Sequence, residues 1–276
     1  MKSLVLCADD FAVHAGASQG IAALARQGRL SATSAMVLSP RWAQDVALLQ
    51  ALRGRIDVGL HLDWTSEFAQ AAGHGLSLGA AMRRALLGGF DRSAARTVIE
   101  RQLDLFEAQW QAPPDHVDGH QHVQQFAGIR EPLVELLARR YPGRLPYLRV
   151  SQVRSGVGER LGFKSRVISA LGSNAIKKIA DGAGVTRADA LLGVYDFAGD
   201  TARYTALMDG WLAGAPAGGL LMCHPAAAAD PDDEIGVARL REYAYLASGD
   251  FAAALARAQV ELVRGARALQ PLHSPP

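Results

Sequence analysis

The chain has 276 residues, of which 49% are hydrophobic and 20% charged, and its formal net charge is +2. This balance excludes an intrinsically disordered chain, and the even spread of both charge signs excludes a clustered basic surface for nucleic acids. Two cysteines, Cys7 and Cys223, are too few for a disulfide framework. No run approaches the ~18 apolar residues of a membrane span, and the first residues lack a secretory signal, so we expect a cytoplasmic protein without a membrane partner.

Seven short apolar runs, flanked by Gly, Pro, Asp or Ser, predict β-strands. They are Ser3–Ala8, Ala32–Leu38, Ile56–Leu62, His116–His122, Tyr147–Val150, Leu191–Tyr195 and Leu220–Cys223. Longer amphipathic segments between and after these runs predict helices. They are Ala17–Gln27, Arg41–Leu52, Leu78–Leu87, Ser93–Trp110, Ile129–Arg140, Gly158–Gly182, Thr201–Leu212, Ile235–Ala247 and Asp250–Arg264.

Strands that alternate with helices predict a parallel sheet with right-handed crossovers. We therefore expect an α/β fold, a TIM-barrel-like (β/α) barrel with seven strands, and a doubly wound open sheet is the competing architecture. The length suits one barrel of about 250 residues. Residues 1–265 would form this single domain, and residues 266–276 a flexible C-terminal tail.

Four of the predicted strands end in acidic or histidine residues. Asp9 and Asp10 follow the first strand, His61 ends the third, and His224 follows the last. Active sites of parallel α/β folds lie at the carboxyl ends of the strands, so these residues are expected to meet at one mouth.

The fourth predicted strand carries the most polar run, H-V-D-G-H-Q-H. Because side chains alternate along a strand, His116, Asp118, His120 and His122 are expected to face the same way. Such groups are costly in a dry interior unless they bind a metal or form hydrogen bonds. Gly119 is the position at which the alternation could break.

Each of these residues also has an ordinary structural explanation. Asp9 and Asp10 could form a turn or a helix cap, and His61 could be a core histidine. Two adjacent carboxylates point in different directions, however, so one could hold a metal while the other takes a proton from water. One carboxylate with two histidines leaves coordination positions open, as a hydrolytic metal requires, and Asp118 or His122 could orient a histidine ligand.

Two further residues could take part in the chemistry. His224 could donate a proton to a leaving group, although a histidine in a turn before proline is equally expected. Arg149 could orient a catalytic aspartate or bind a polar substrate, and its alternative is a surface arginine.

The combination of motifs resembles the YdjC-like family, which includes chitooligosaccharide deacetylases and hopanoid-biosynthesis deacetylases. The motifs are A-D-D-F at residues 8–11, S-A-T-S-A-M-V at 31–37, G-L-H-L at 59–62, H-x-D-x-H-x-H at 116–122, L-R-V at 148–150 and C-H-P at 223–225. They span nearly the whole chain. The resemblance implies a barrel related to the polysaccharide deacetylases, with a divalent metal held by Asp10, His61 and His120. It also implies that Asp9 is the general base and His224 the acid.

Five positions depart from the usual family pattern. They are Ala12, Ser18, Asp63, Gln124 and Ala226. They surround the expected ligands without replacing any of them, so they bear on the identity of the substrate more than on metal binding.

The resulting hypothesis is a metal-dependent carbohydrate deacetylase, a hydrolase that cleaves the amide C–N bond of an N-acetylated saccharide. Zinc or magnesium is the expected ion, and manganese, cobalt and nickel remain alternatives. Phe11 and Trp64 could stack on sugar faces, or they could be core aromatics. The alternative functions are a metal-dependent sugar isomerase or phosphoester hydrolase, and a non-catalytic protein that binds a metal or sugar. A homodimer is possible, and the sequence does not decide the oligomeric state.

Overall fold

A computed structural model describes residues 1–153, 171–188 and 190–269 of the chain. In these ranges nine strands form one sheet, and all of its pairings are parallel. The strands are β1 Lys2–Phe11, β2 Ala32–Ala35, β3 Asp57–Leu62, β4 His116–Gly119, β5 Tyr147–Arg149, β6 Arg187–Ala188, β7 Leu191–Leu192, β8 Gly219–Cys223 and β9 Val260–Leu262. Their order is β6-β5-β4-β3-β2-β1-β8-β7, and β9 pairs with the start of β1.

The sheet curls into a nearly closed barrel. The strands β6 and β7 stand at the two ends of the strand order, yet only two residues separate them in the chain. Val153, just beyond β5, also forms a parallel bridge with Leu191 of β7. The two ends of the sheet therefore meet, and the predicted barrel is confirmed over the predicted open sheet.

Helices cover the outside of the barrel in the described ranges. They are α1 Ala15–Arg26, α2 Trp42–Asp45, α3 Ala47–Gln50, α4 Glu67–Ala71, α5 Leu78–Leu86, α6 Arg92–Trp110, α7 Arg130–Arg140, α8 Ser173–Gly182, α9 Thr201–Gly214, α10 Gly236–Ala247, α11 Gly249–Arg257 and α12 Gly265–Ala268. A 3₁₀ helix, His120–Gln125, follows β4. Within the described part of the chain, no helix is long and apolar enough to span a bilayer.

Side chains of the strands alternate between two cores. Leu4, Leu6 and Ala8 of β1 pack outward against the helices, whereas Val5 and Cys7 pack inside the barrel. The other strands follow the same alternation. The inward-facing residues of each strand therefore include the side chains that reach the carboxyl end of the barrel.

Three details of the sequence prediction are wrong. The strand count exceeds seven, because the very short β6 and β9 carry too few residues to show a pattern. The helix predicted for residues 250–264 ends at Arg257, where Gln259 adopts a left-handed backbone (φ 53°) and leads into β9. The strand predicted to reach His122 ends at Gly119.

Two expectations lie partly outside the described residues. Of the helix predicted for residues 158–182, the structure describes α8, and residues 154–170 lie outside it. The expected tail begins inside α12, and Ala268 and Leu269 pack against the inner core of the barrel. Residues 270–276 lie outside the described part of the chain.

Candidate metal centre

Six strands deliver polar side chains to the carboxyl end of the barrel. Because alternate residues of each strand point inward, the last inward positions of these strands meet at one mouth. The residues at these positions are Asp9, Ser34, His61, Asp118, Arg149 and His224. All six are buried. The convergence expected from the strand ends is thus found.

Asp10 joins this group because the backbone departs from regular strand geometry. Its φ is 64°, in the left-handed region, and the pairing of β1 with β2 shifts register between Ala8 and Phe11. One carboxylate oxygen, Oδ1, lies 3.2 Å from His61 Nε2 and 3.1 Å from His120 Nδ1. The three side chains expected as metal ligands therefore offer one ligand atom each within 4.8 Å of one another.

His120 reaches this position by a route that the sequence did not predict. The strand β4 ends at Gly119, and the following 3₁₀ helix contains two left-handed residues, Gln121 and His122. His120 therefore does not continue the alternation of His116 and Asp118. The turn instead places its ring over the barrel, 5.6 Å from the ring of His61 and roughly perpendicular to it.

The protonation of the cluster follows from its charges. Burial alone would lower the pKa of His61, but the charge of Asp118 and hydrogen bonds to Asp10 and Asp118 raise that pKa to about 10. Burial alone would raise the pKa of Asp10, but the charge of Arg239 and hydrogen bonds from His120 and His61 hold it well below its usual range. A cation is thus favoured between these groups, as a proton or as a metal ion.

Residues behind His61 fix the orientation of its ring. Nδ1 lies 2.6 Å from Asp118 Oδ1 and 3.0 Å from Ser34 Oγ, which leaves Nε2 directed at Asp10. A carboxylate on the second ring nitrogen is the usual support for a histidine that ligates a metal. The donor set of one carboxylate and two imidazoles, supported in this way, is compatible with a divalent metal site.

Asp9 lies beside this cluster and has different partners. Both of its oxygens accept hydrogen bonds from Arg149, at 2.7 and 2.8 Å. Arg149 is fully buried and also lies 3.1 Å from Asp118 Oδ2, so it bridges the two aspartates. A paired guanidinium of this kind fixes a carboxylate in two directions. The surface position considered for Arg149 is excluded.

His224 approaches Asp9 from β8. Its Nε2 lies 3.8 Å from Asp9 Oδ2, and its Nδ1 has no hydrogen-bond partner among the described residues. Its backbone N–H donates to Glu242 Oε2 of α10 at 2.6 Å. The histidine is therefore held through its backbone, while its ring stands against the ring of Phe197.

The remaining two histidines of the fourth motif lie outside the cluster. His116 is fully buried deeper in the barrel, stacked on Tyr147 with 5.0 Å between ring centroids and 3.6 Å from Cys7 Sγ. His122 Nδ1 lies 2.9 Å from Ser151 Oγ, and burial together with nearby Arg149 lowers its pKa well below its usual value. The expectation that all four polar residues of this motif share one face is therefore wrong.

Neither aromatic residue suggested for sugar stacking offers a free face. Phe11 is fully buried and meets Trp42 edge to face. Trp64 is 2% exposed and packs against His74 and Phe90. Both are core aromatics, which corrects the idea that they bind the sugar.

Three charged residues around the site were missed by the sequence analysis. Arg239 donates from one terminal nitrogen to Asp10 Oδ2 at 2.8 Å and from Nε to Asp233 Oδ2 at 2.6 Å. Glu242 holds the backbone of His224. Arg239 and Glu242 are three residues apart on α10, so they share one helix face. No sequence motif marks this pair, which lies well beyond C-H-P in the chain.

Three of the five departures from the family pattern, Ser18, Asp63 and Gln124, hydrogen-bond to neighbouring loops. Ser18 accepts from the N–H of Ala12 and donates to Asp45, and Asp63 accepts from two backbone N–H groups that follow it. Gln124 donates to the carbonyl of Arg149. Each side chain is buried and hydrogen-bonded, so the loops that carry the site are braced from behind.

Sequence similarity to curated proteins covers half of the chain. A curated relative, a chitooligosaccharide deacetylase from Serratia marcescens, is 31% identical over 152 residues, which cover 50% of this chain and 56% of the relative. A protein of the same name from Yersinia pestis is 33% identical over 144 residues, with the same coverage. The chain thus spans little more than half the length of the curated relatives that it matches.

Structure and family comparisons extend further along the chain. A solved structure, a putative cellobiose-phosphate cleavage protein from Enterococcus faecalis, superposes with a TM-score of 0.70, covering 96% of this chain and 98% of its own. At 19% identity, this likeness concerns the fold. The model of the YdjC-like protein family matches residues 3–257, so the resemblance seen in the sequence motifs is confirmed and the chain belongs to the YdjC-like family.

Proposed function

We propose that this protein is a metal-dependent hydrolase that removes the acetyl group from an N-acetylated saccharide. The proposal rests on the close approach of a possible metal-ligand set and a possible acid–base pair at the carboxyl end of the barrel. Asp10, His61 and His120 converge within 4.8 Å, and Asp9 stands beside them with His224 3.8 Å away. The names of the curated relatives, chitooligosaccharide deacetylases, support this substrate class.

Asp10, His61 and His120 would hold the metal ion. When bound, a divalent ion supplies the positive charge that polarises an acetamide carbonyl and lowers the pKa of a water molecule. Arg239 occupies Asp10 Oδ2 and so leaves Oδ1 for the ion. We propose zinc or magnesium, with manganese, cobalt and nickel as the alternatives to be tested.

Asp9 would take a proton from the attacking water. Its position next to the ligands but outside their cluster separates the base from the metal ligands. Arg149 holds both oxygens of Asp9, which keeps the carboxylate at a fixed distance from the mouth. A base fixed in this way avoids the cost of orientation during the reaction.

His224 would donate a proton to the departing amine nitrogen. An amine is a poor leaving group without this proton, so an acid must stand on the side of the nitrogen. His224 enters from a different strand than Asp9, and its Nε2 faces the mouth. Because β8 pairs with β1, the proposed acid and base lie side by side at the carboxyl end of the barrel, where both could reach one scissile amide.

The direct test is acetate release from N-acetylglucosamine oligomers by the purified full chain. We expect release as purified, loss after treatment with a chelator, and recovery when one of the five candidate ions is added back. His61→Ala and His120→Ala should lose bound metal by elemental analysis, because each removes a ligand. Full activity in the chelated protein, or stoichiometric metal in both variants, would refute the proposal.

A further inference from the structure

Left-handed backbone conformations are concentrated at the mouth of the barrel. Seven residues other than glycine have positive φ in the described ranges, and five of them lie at or beyond the carboxyl ends of strands. These five are Asp10, Ala12, Gln121, His122 and Phe197. Such conformations cost free energy and persist where the surroundings enforce them, which is typical of functional sites. Asp10 belongs to the candidate metal set, but Phe197 has no role in the chemistry proposed above.

Phe197 combines this strain with an accessible aromatic ring. It lies in the loop between β7 and α9, with a φ of 62°. The residue is partly exposed, and its ring stands 5.2 Å from the ring of His224 at an angle of 83°. It also packs against the ring of Tyr195, with 4.9 Å between the ring centroids and 56° between the ring planes. The ring therefore forms a wall of the mouth beside His224.

Arg241 holds this wall in place. Its side chain is buried and donates to the backbone carbonyls of Phe197, at 2.9 Å, and Gly199, at 2.6 Å. The next residue, Glu242, accepts hydrogen bonds from the His224 backbone and from the Tyr195 hydroxyl. Adjacent residues of α10 thus fix both the loop and the histidine, so the ring of Phe197 keeps its position relative to His224.

We propose that Phe197 is a substrate-binding residue that packs against the apolar face of the pyranose ring carrying the acetamide. The inference rests on the proposed function, because that function orients the substrate. The carbonyl points to Asp10, His61 and His120, and the amine nitrogen points to His224. The sugar is bonded to the nitrogen, so the wall beside His224 meets the sugar, and the methyl group lies on the other side.

The experiment compares two substrates that share the acetyl group. Tri-N-acetylchitotriose carries the sugar ring, whereas 2,2,2-trifluoroethyl acetate has none. For Phe197→Ala we expect KM for the saccharide to rise about ten-fold, the scale of one aromatic contact, with kcat nearly unchanged. The kcat/KM for the ester should stay within about two-fold, since no ring is involved. Phe197→Trp should restore saccharide binding.

Two results would overturn the inference. A fall in kcat on the saccharide with an unchanged KM would mean that Phe197 acts through His224 and does not touch the sugar. Retention of wild-type KM in Phe197→Leu, which keeps an apolar side chain of similar volume, would mean that the flat aromatic face is unnecessary.

Binding without turnover separates this inference from the proposed function. Calorimetric titration of tri-N-acetylchitotriose into Asp9→Asn, with and without Phe197→Ala, measures the saccharide contact directly. If the wild-type protein releases no acetate, the proposed function fails, yet a Kd weakened about ten-fold by Phe197→Ala still supports the contact. An unchanged Kd, or no binding to either protein, overturns the inference.

Discussion

Both ends of the barrel carry carboxylates paired with arginines. The two ends differ in the other groups that donate hydrogen bonds to these carboxylates. At the amino end, Asp57 Oδ2 accepts from the Tyr147 hydroxyl at 3.1 Å and from the Gly265 N–H at 2.6 Å. Its Oδ1 accepts from Arg264 Nε at 2.6 Å. Asp115 nearby accepts from Arg144, from Arg264 and from the N–H of Val58. Every donor at this end is neutral or carries a fixed positive charge.

The carboxyl end instead joins its carboxylates to histidines. His61 and His120 both approach Asp10 Oδ1, and His224 approaches Asp9. Within the described residues, His224 Nδ1 and one terminal nitrogen of Arg239 have no hydrogen-bond partner. Buried groups that stay incompletely paired are costly, and they are retained where a ligand completes them. The amino end therefore closes the fold, whereas the carboxyl end keeps buried polar groups that a ligand could complete.

The largest expected effect separates the two adjacent aspartates of the carboxyl end. Asp9→Asn should lower acetate release by about 10³-fold, because a base that cannot take a proton loses the acid–base contribution. It should retain its metal, since Asp9 is not among the proposed ligands. Asp10→Asn should lose the metal as well as the activity. Elemental analysis and acetate release on both variants measure this division, and equal metal loss would contradict it.

The second largest effect is expected for the proposed acid, His224. The loss of rate on its removal should depend on the leaving group of the substrate. His224→Ala should reduce acetamide hydrolysis about 10²-fold, while metal content and fold are kept. An activated aryl acetate has a leaving group that needs no proton, so its hydrolysis should fall much less. Steady-state kinetics on both substrates give the ratio. Comparable losses would make His224 a positioning residue.

The sequence predicted this convergence because strand alternation is a local rule. Asp9, His61 and His224 each stand at the end of a recognisable apolar run, and parallel strands bring such ends together. His120 could not be placed, since the same rule extended β4 past Gly119, where the chain turns into a 3₁₀ helix. Arg239 could not be predicted, because an arginine on a charged helix is expected at the surface. Only tertiary packing buries it.

The short elements escaped prediction for a related reason. The strands β6 and β9 contain two and three residues, so their conformation is set by pairing with β5 and β1 and not by their own composition. The aromatic residues show the same limit. Phe197 and Phe11 are chemically identical, and only the fold places one at the mouth and the other in the core.

A third prediction concerns the amino end, where stability should change and chemistry should not. Asp57→Asn removes the charge that Arg264 and two other donors share, and we expect a loss of about 2 kcal/mol in the free energy of unfolding. The melting temperature should fall by about 5 °C for a chain of this size. Activity per folded molecule should be unchanged, because the residue lies at the opposite end of the barrel. Reduced kcat in fully folded Asp57→Asn would mean that the amino end also contributes to the chemistry.

The smallest expected effect concerns a left-handed residue far from the carboxyl end of the barrel. Its backbone strain should lower stability without contributing to activity. Gln111 ends α6 with a φ of 56°, is exposed, and donates its N–H to the Glu107 carbonyl. Glycine adopts this conformation without steric cost, so Gln111→Gly should stabilise the fold by about 1 kcal/mol, less the entropy that glycine adds to the unfolded chain. Because the entropy term offsets much of this gain, thermal melting should show a rise of about 1 °C with unaltered acetate release. A lower melting temperature would mean that the side chain of Gln111 contributes more than the backbone costs. A change in activity would mean that the backbone at this helix end affects the active site. Left-handed residues at the carboxyl end of the barrel would then no longer be special in their effect on function.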